Sequence, residues 1–419
     1  MRIELRSTLR KFCFAGACFI VVGLYLLFAG RAYLAAHVAA NPTLLNIQRA
    51  IRLEPSNAEY QELLGRNLAL SGASLDEAIS DYRTAVRLNP YESRYWLDLA
   101  SAYQVAGRID EEKQAVEQAV DEDPTTPHVA AEAANFFLLQ GNLGKALRHF
   151  RTVLANDPDT VNPTLQLCWR VTGDANQIFD QALPRRMDLY SSFLQLLVSK
   201  QEVAAAENAW EHLIGLQQIF PTKLAVPYFR LLLAKQEVEA AQTAWQQLAK
   251  VDAGLQPYLP SRENLIVNGG FEENLLNGGF DWWYESTPRA ALAIDTDQFY
   301  QGTRSLSVTF DGRSVPEARI SQFIPVKPNT DYEFSAESKT QDIDSASGPR
   351  FAIADAYTNV SYVLTDDLLG TNPWHLQQAR FHTEPNTNLL FLRIVRQPAA
   401  PLIRGKLWID DVKLVEKQN

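Results

Sequence analysis

Ala50-Ile51-Arg52-Leu53-Glu54-Pro55, Ala85-Val86-Arg87-Leu88-Asn89-Pro90, Ala119-Val120-Asp121-Glu122-Asp123-Pro124 and Val153-Leu154-Ala155-Asn156-Asp157-Pro158 close four stretches of helical pattern in the same way. Their prolines stand 35, 34 and 34 residues apart. Proline lacks the N–H that would continue a helix, so each marks a stop. A fixed period near 34 with helix-turn-helix content belongs to a solenoid, whose units bury their apolar faces against one another.

Small and aromatic residues recur inside the period. The unit ending at Pro90 carries Leu64-Gly65, Leu68, Ala78, Tyr82 and Ala85. The next carries Trp96, Leu99-Ala100, Tyr103 and Ala119, with Glu112 where a small residue is usual. The third carries Ala133-Ala134, Phe137, Ala146 and Phe150. Gly72, Gly107 and Gly141 stand where each first helix should end, a place that favours positive φ. Two antiparallel helices approach closely only where one side offers Gly or Ala, and the aromatic fills the hole beside it. This pattern resembles the tetratricopeptide (TPR) repeat. The resemblance implies a groove that takes a protein partner, lined by Arg94, Leu97, Ser101, His128, Ala131 and Asn135. Their spacing of three and four sets each trio on one helix face.

Composition bounds the rest. The chain of 419 residues has room for two or three domains, and 46% hydrophobic with 21% charged residues indicates an ordered globular protein. A net charge of −10 and the lack of a basic stripe with interleaved aromatics argue against nucleic acid. Cys13, Cys18 and Cys168 form neither a zinc spacing nor a disulfide framework.

Residues 12–30 contain no charge, and a helix of that length spans the ~30 Å hydrocarbon core. An uncleaved transmembrane helix is expected; a cleaved signal peptide, with its site after Ala40, is the competing reading, although its apolar run is ordinarily shorter. Arg2, Arg6, Arg10 and Lys11 precede the run against the single acid Glu4, and Arg31 follows it. This asymmetry places a basic tail, residues 1–11, in the cytoplasm and the bulk of the chain on the extracytoplasmic side of the cytoplasmic membrane. The pattern of Thr43 to Leu53 already suits the second helix of a unit, so the membrane helix should enter the solenoid almost without a linker.

After Pro158 the repeats degrade but the period survives: Lys200-Gln201-Glu202-Val203 returns as Lys235-Gln236-Glu237-Val238, and Trp210 as Trp245, each 35 residues on. The solenoid is therefore expected over 31–253, with both tryptophans as core residues. His128, His149 and His212 read as surface or groove residues.

Pro257 and Pro260 bracket an expected linker, 254–262. Beyond it, turn signals such as Asn268-Gly269-Gly270 and Asn277-Gly278-Gly279 separate alternating segments, among them 305–310, 332–336, 389–394 and 406–415. Residues 263–419 suffice for an antiparallel β-sandwich. In order, Leu265-Ile266-Val267-Asn268-Gly269-Gly270-Phe271-Glu272, Gly302-Thr303-Arg304-Ser305-Leu306, Gln322, Val326-Lys327-Pro328 with Tyr332, Trp374 and Leu407-Trp408-Ile409-Asp410-Asp411-Val412 resemble the galactose-binding-like jelly rolls of carbohydrate-binding modules, families four and nine. That resemblance implies glycan binding, and a structural calcium held by Glu272 with Asp410 or Asp411; exposed acids that merely cap loops are the alternative. Trp282, Trp283 and Tyr284 are consecutive, and strand neighbours point to opposite faces, so all three cannot enter one core. A sugar-stacking platform extended by Tyr357, Tyr362 and Trp374 is one expectation; a seal between the sandwich and the last solenoid helix is the other.

No nucleophile elbow, metalloprotease helix or phosphate loop occurs, so no catalytic residue and no required cofactor is expected. The fold class is thus multidomain α plus β: a transmembrane helix, a TPR α-solenoid and a C-terminal jelly roll. The function expected is a non-catalytic envelope scaffold with a glycan-binding head, serving exopolysaccharide or cell-envelope assembly. The alternative is a protein-interaction scaffold whose β domain is structural or protein-binding.

Overall fold

The computed structural model describes residues 8–72, 74–397 and 402–417. Most of the expected basic tail, including Arg2, Glu4 and Arg6, falls outside the described residues. The chain forms two compact units, Met1–Pro184 and Arg185–Asn419.

The first unit begins with α1 (Thr8–Ala39), whose Lys11–Ala39 portion has a mean hydropathy of 2.4 and is long and apolar enough to cross a membrane. It turns at Asn41-Pro42 into α2 (Leu44–Leu53), capped by the Thr43 hydroxyl. The two form the first antiparallel pair with almost no linker: Ala35 is buried against Ala50 and Tyr60, and the Arg31 guanidinium donates to the Leu53 carbonyl. Three regular pairs follow, α3 (Ala58–Ser71) with α4 (Leu75–Leu88), α5 (Ser93–Val105) with α6 (Ile109–Glu122), and α7 (Pro127–Leu139) with α8 (Leu143–Asn156). Gly72, Gly107 and Gly141 have φ of 66°, 69° and 71°. Within the first of these pairs, a Cβ on Gly65 would lie 3.0 Å from the Ala78 carbonyl oxygen and 3.1 Å from the Tyr82 ring, so a larger residue would push the two helices apart by a few tenths of an ångström. Tyr82, Tyr103, Phe137 and Phe150 are buried as the repeat pattern requires, and Glu112 is buried where a small residue is usual. The unit ends with α9 (Val161–Thr172) and the short α10 (Ala175–Gln181).

The second unit contains α11 (Met187–Ser199), α12 (Val203–Ile214), α13 (Val226–Ala234) and α14 (Val238–Val251) together with all the strands. The recurrent Lys-Gln-Glu-Val reads as a helix stop in three dimensions: Gln201 and Gln236 have φ of 61° and 64°, taking the part glycine plays in the regular repeats. Trp210 and Trp245 are each 1% exposed. Trp210 stacks on Tyr228 at 5.2 Å and donates to the Gln247 side chain; Trp245 donates to the Tyr258 carbonyl.

The segment expected as a linker is a 3-10 helix, Ala253–Tyr258, fastened on both sides: Gln256 donates to the Ala249 carbonyl, and the Tyr258 hydroxyl to that of Asn274. Beyond it two five-stranded antiparallel sheets face each other. The first has the order β1 (Trp283–Tyr284), β4 (Glu317–Pro325), β9 (Leu389–Val395), β6 (Arg350–Asp355), β7 (Ser361–Leu364). The second has the order β2 (Ala290–Asp295), β3 (Ser305–Asp311), β10 (Arg404–Glu416), β5 (Asp331–Asp344), β8 (Gly370–His382). Alternating residues such as Ile320, Leu392 and Ile353 from one sheet and Val308, Leu407 and Phe334 from the other make the core. Phe334 and Phe351 meet across it at 5.5 Å.

The segment leading into the sandwich lies along β10 without being a regular strand. Leu265 donates to the Leu414 carbonyl and Val412 to that of Gly269. A Cβ on Gly269 would stand 2.0 Å from the Val412 oxygen, which explains that glycine. Fully buried Gln322 clamps Val267 by accepting from its N–H at 3.0 Å and donating to its carbonyl at 2.9 Å.

Candidate functional site

Strand alternation separates the aromatic trio, and the result corrects the platform. Trp282 turns into the sandwich core at 2% exposure, stacks on Phe271 at 5.3 Å and donates to the Asn268 carbonyl, so it offers no face to a sugar. Trp283 turns outward yet is only 9% exposed, because the Arg230 guanidinium of α13 lies 4.5 Å above its ring. Its indole N–H is used by the Gly279 carbonyl. Tyr284 is half-buried, with its N–H held by the Asn277 side chain.

The other three aromatics lie elsewhere. The Tyr357 hydroxyl donates to the Leu233 carbonyl at 2.9 Å, and burial pushes its pKa up to about 12. Tyr362, on the edge strand opposite β1, stacks on Phe381 and bonds Thr387. Trp374, on the outer edge of the second sheet, leans on Tyr300 at 6.0 Å. Of the six, the structure brings only Trp283 and Tyr284 together.

Those two open onto a cavity of about 260 Å³ at the β1 edge of the first sheet. The register sets its floor: Trp283 pairs with Ser321, and Ser321 with Arg393, so one outward row crosses β1, β4 and β9. Phe323 and Phe391 form the next row, stacked at 4.7 Å. The Arg393 guanidinium lies 5.1 Å over Phe391. Arg319 pairs with Glu285, and Arg393 reaches Glu317 at 4.0 Å. The arrangement offers apolar ring surface, hydroxyl and amide groups and an excess of guanidinium. Arg230, Arg319 and Arg393 escaped sequence reading because three different elements supply them.

The acids expected to hold calcium divide. Desolvation is the largest single influence on Glu272 and raises its pKa, but the bonds it accepts from the Thr303 N–H and hydroxyl and the Arg304 N–H together outweigh it and hold the carboxyl below the usual range. Buried Asp410 accepts from the N–H groups of Tyr300, Gln301 and Asp411; desolvation is the larger influence and raises its pKa. A Cβ on Gly270 would stand 3.8 Å from an Asp410 oxygen and 3.9 Å from Glu272 Cγ, and one on Gly302 would meet a Glu272 oxygen at 2.1 Å. The two carboxylates thus grip one loop from opposite ends of the domain. Asp411 does not join them, and pairs with Lys413 at 2.7 Å. Among the described residues no group of three or more His, Cys, Asp or Glu side chains is placed to hold a metal.

On the solenoid, Leu97, Ser101 and Asn135 line a cleft of about 90 Å³ between α5 and α7. Arg94 lies over Tyr95 at 5.4 Å, His128 is exposed and Ala131 half-buried. Two features were missed. Leu70, Val105 and Leu139 are 83%, 73% and 73% exposed, each two residues before the glycine that ends its helix. Glu62, Arg66 and Asp98 form a charged cluster across two repeats, with Arg66 touching the Glu62 carboxylate and 3.4 Å from Asp98.

Residues 263–400 match the Carbohydrate binding domain family, and residues 93–126 the Tetratricopeptide repeat. No curated protein matches the sequence. Among solved structures, one titled for CBM4 structure and function is 13% identical and covers 36% of this chain and 99% of its own, with a TM-score of 0.29. The first TPR of Spaghetti, bound to a peptide, is 18% identical over 28% of this chain and 94% of its own, with a TM-score of 0.26. Pseudomonas aeruginosa pilF is 14% identical over 55% and 95%, with a TM-score of 0.29. The chain carries tetratricopeptide repeats in its helical region and a carbohydrate-binding domain in its β region.

Proposed function

We propose that the protein is a non-catalytic scaffold, held at the extracytoplasmic face of the cytoplasmic membrane by α1, that binds a protein partner on its repeats and a polysaccharide on its β domain, in the service of exopolysaccharide or cell-envelope assembly. The carrying observation is the carbohydrate-binding domain match over residues 263–400, on a sandwich whose first sheet opens a cavity of about 260 Å³ beside Tyr284 and Phe391. Aromatic edges there meet sugar C–H faces while Ser321 and Asn277 meet hydroxyls. The protein groove is supported by the exposed row Leu70, Val105 and Leu139 and by the cleft at Leu97, Ser101 and Asn135. The full-length chain in detergent should be retarded in affinity gels containing polysaccharide and release no reducing sugar from it. Free migration on every glycan of a neutral and acidic panel overturns the glycan reading.

The proposal includes a structural calcium at Glu272 and Asp410. Hard carboxylate oxygens from both ends of the domain, one of them in a space that a Cβ at Gly302 would fill, fit the donor chemistry of that ion. The N–H groups of residues 300–304 already bond these oxygens, so the ion would add to a loop held without it.

A second reading is favoured by Trp283 lying under Arg230: the β domain is a structural or protein-binding cap without sugar affinity. The same gels decide between the two.

A further inference from the structure

The cavity beside Tyr284 is lined by three guanidiniums, from Arg230, Arg319 and Arg393, and two carboxylates, from Glu285 and Glu317. Their partnerships are unequal. Arg319 is engaged by Glu285. Arg393 meets Glu317 only at 4.0 Å, and its Nε is buried without a hydrogen-bond partner. Arg230 is exposed and lies over Trp283; among the described residues no carboxylate comes within ion-pair distance of it. A chain of net charge −10 therefore keeps a local excess of positive charge at the β1 edge of the first sheet, where ring surface and hydroxyl groups also meet. The volume lies near the lower end of small-molecule sites, room for one or two sugar residues.

We infer that this cavity takes the carboxylate of an acidic sugar, a uronate within a polysaccharide, and that Arg230 of α13 is the residue that selects it. The inference rests on the glycan reading above and names its ligand class. The chemistry is specific to arginine. A planar guanidinium meets a carboxylate through two parallel N–H···O bonds, which a neutral hydroxyl cannot reproduce. Arg230 and Arg393 approach the cavity from a helix and a strand, so one carboxylate between them meets the charge Arg230 carries and the guanidinium that Glu317 reaches only at 4.0 Å. The helical part of the second unit thus supplies half of the recognition, and the strands without α13 form an incomplete site.

The test uses the full-length chain in detergent, with polygalacturonate and neutral hydroxyethylcellulose as gel probes. Wild type should be retarded by polygalacturonate, less so as salt rises, since exposed charge contacts are screened. Arg230→Gln should lose affinity for polygalacturonate by roughly tenfold, the order expected for one charge-assisted contact, while its migration with hydroxyethylcellulose stays that of wild type. Arg230→Lys keeps a cation over Trp283 and guards against a packing defect; with an unchanged melting temperature it should still bind polygalacturonate several-fold more weakly. Retardation by hydroxyethylcellulose alone, or polygalacturonate binding that both variants retain, overturns the acidic-sugar assignment and leaves the glycan reading intact. Free migration with both probes and the wider panel overturns both.

Discussion

Glu62 is 1% exposed in the first regular helix pair. Burial, then the neighbouring Asp98, pushes its carboxyl up to about 7, while Arg66 pulls the other way. The folded state therefore holds the proton more tightly than the unfolded chain. The stabilisation this gives is complete below about 4.5 and is lost as pH rises through about 7. Between pH 5 and pH 8 the wild-type solenoid should weaken by on the order of 1–3 kcal/mol from this site, and Glu62→Gln should remove that slope. Thermal melts followed by helical circular dichroism check it; a variant whose slope matches wild type places the titration elsewhere. The repeat period set the register of such residues but not which charges meet, because Glu62 and Asp98 lie on helices of different repeats. The row Leu70, Val105 and Leu139 was legible from its fixed offset to Gly72, Gly107 and Gly141, had that offset been read as exposure.

Among the elements, the loop at residues 299–304 and helix α13 decide what the β domain presents. The loop is held by Glu272 from before the first strand and Asp410 from the last. If calcium adds to that grip, the β transition of the chelated protein should rise by several degrees on adding calcium, and Asp410→Asn should abolish the rise. A β transition indifferent to chelator and calcium alike rules the ion out. Helix α13 was predicted as one more helix of the solenoid; what the pattern could not convey is that its Arg230 closes over Trp283. Alternation foretold that Trp282 and Trp283 part company, since that follows from the backbone. What covers an outward ring depends on a residue more than fifty positions away in sequence, and periodicity carries no such information.

At the scale of the molecule, strands and helices were legible as separate patterns, each with its own period, and that separation misled. The four helices before the strands belong to the same compact unit as the sandwich. Gly278 and Gly279 show why: a Cβ on the first would stand 2.4 Å from Val226 Cγ2, and one on the second 2.3 Å from the Trp245 ring. Phe280 meets Trp245 edge-on at 6.5 Å. A fragment of residues 261–419 should therefore expose that apolar seam and aggregate or melt well below the full chain, whereas residues 185–419 should unfold in one cooperative transition. Two separate transitions in the longer fragment would show that the seam is weak. Gly279→Val in the full chain should separate them in the same way.

The joint between α1 and α2 has a consequence for bearing. With Ala35 buried against Ala50 and Arg31 tied to the Leu53 carbonyl, there is no swivel between the apolar helix and the first repeat. Thirty-two helical residues measure roughly 48 Å, about 18 Å more than a ~30 Å hydrocarbon slab. In a bilayer much of the surplus is the stretch from Arg31 onward that packs on α2, and whatever tilt the lipid imposes on the helix becomes the heading of the first repeats.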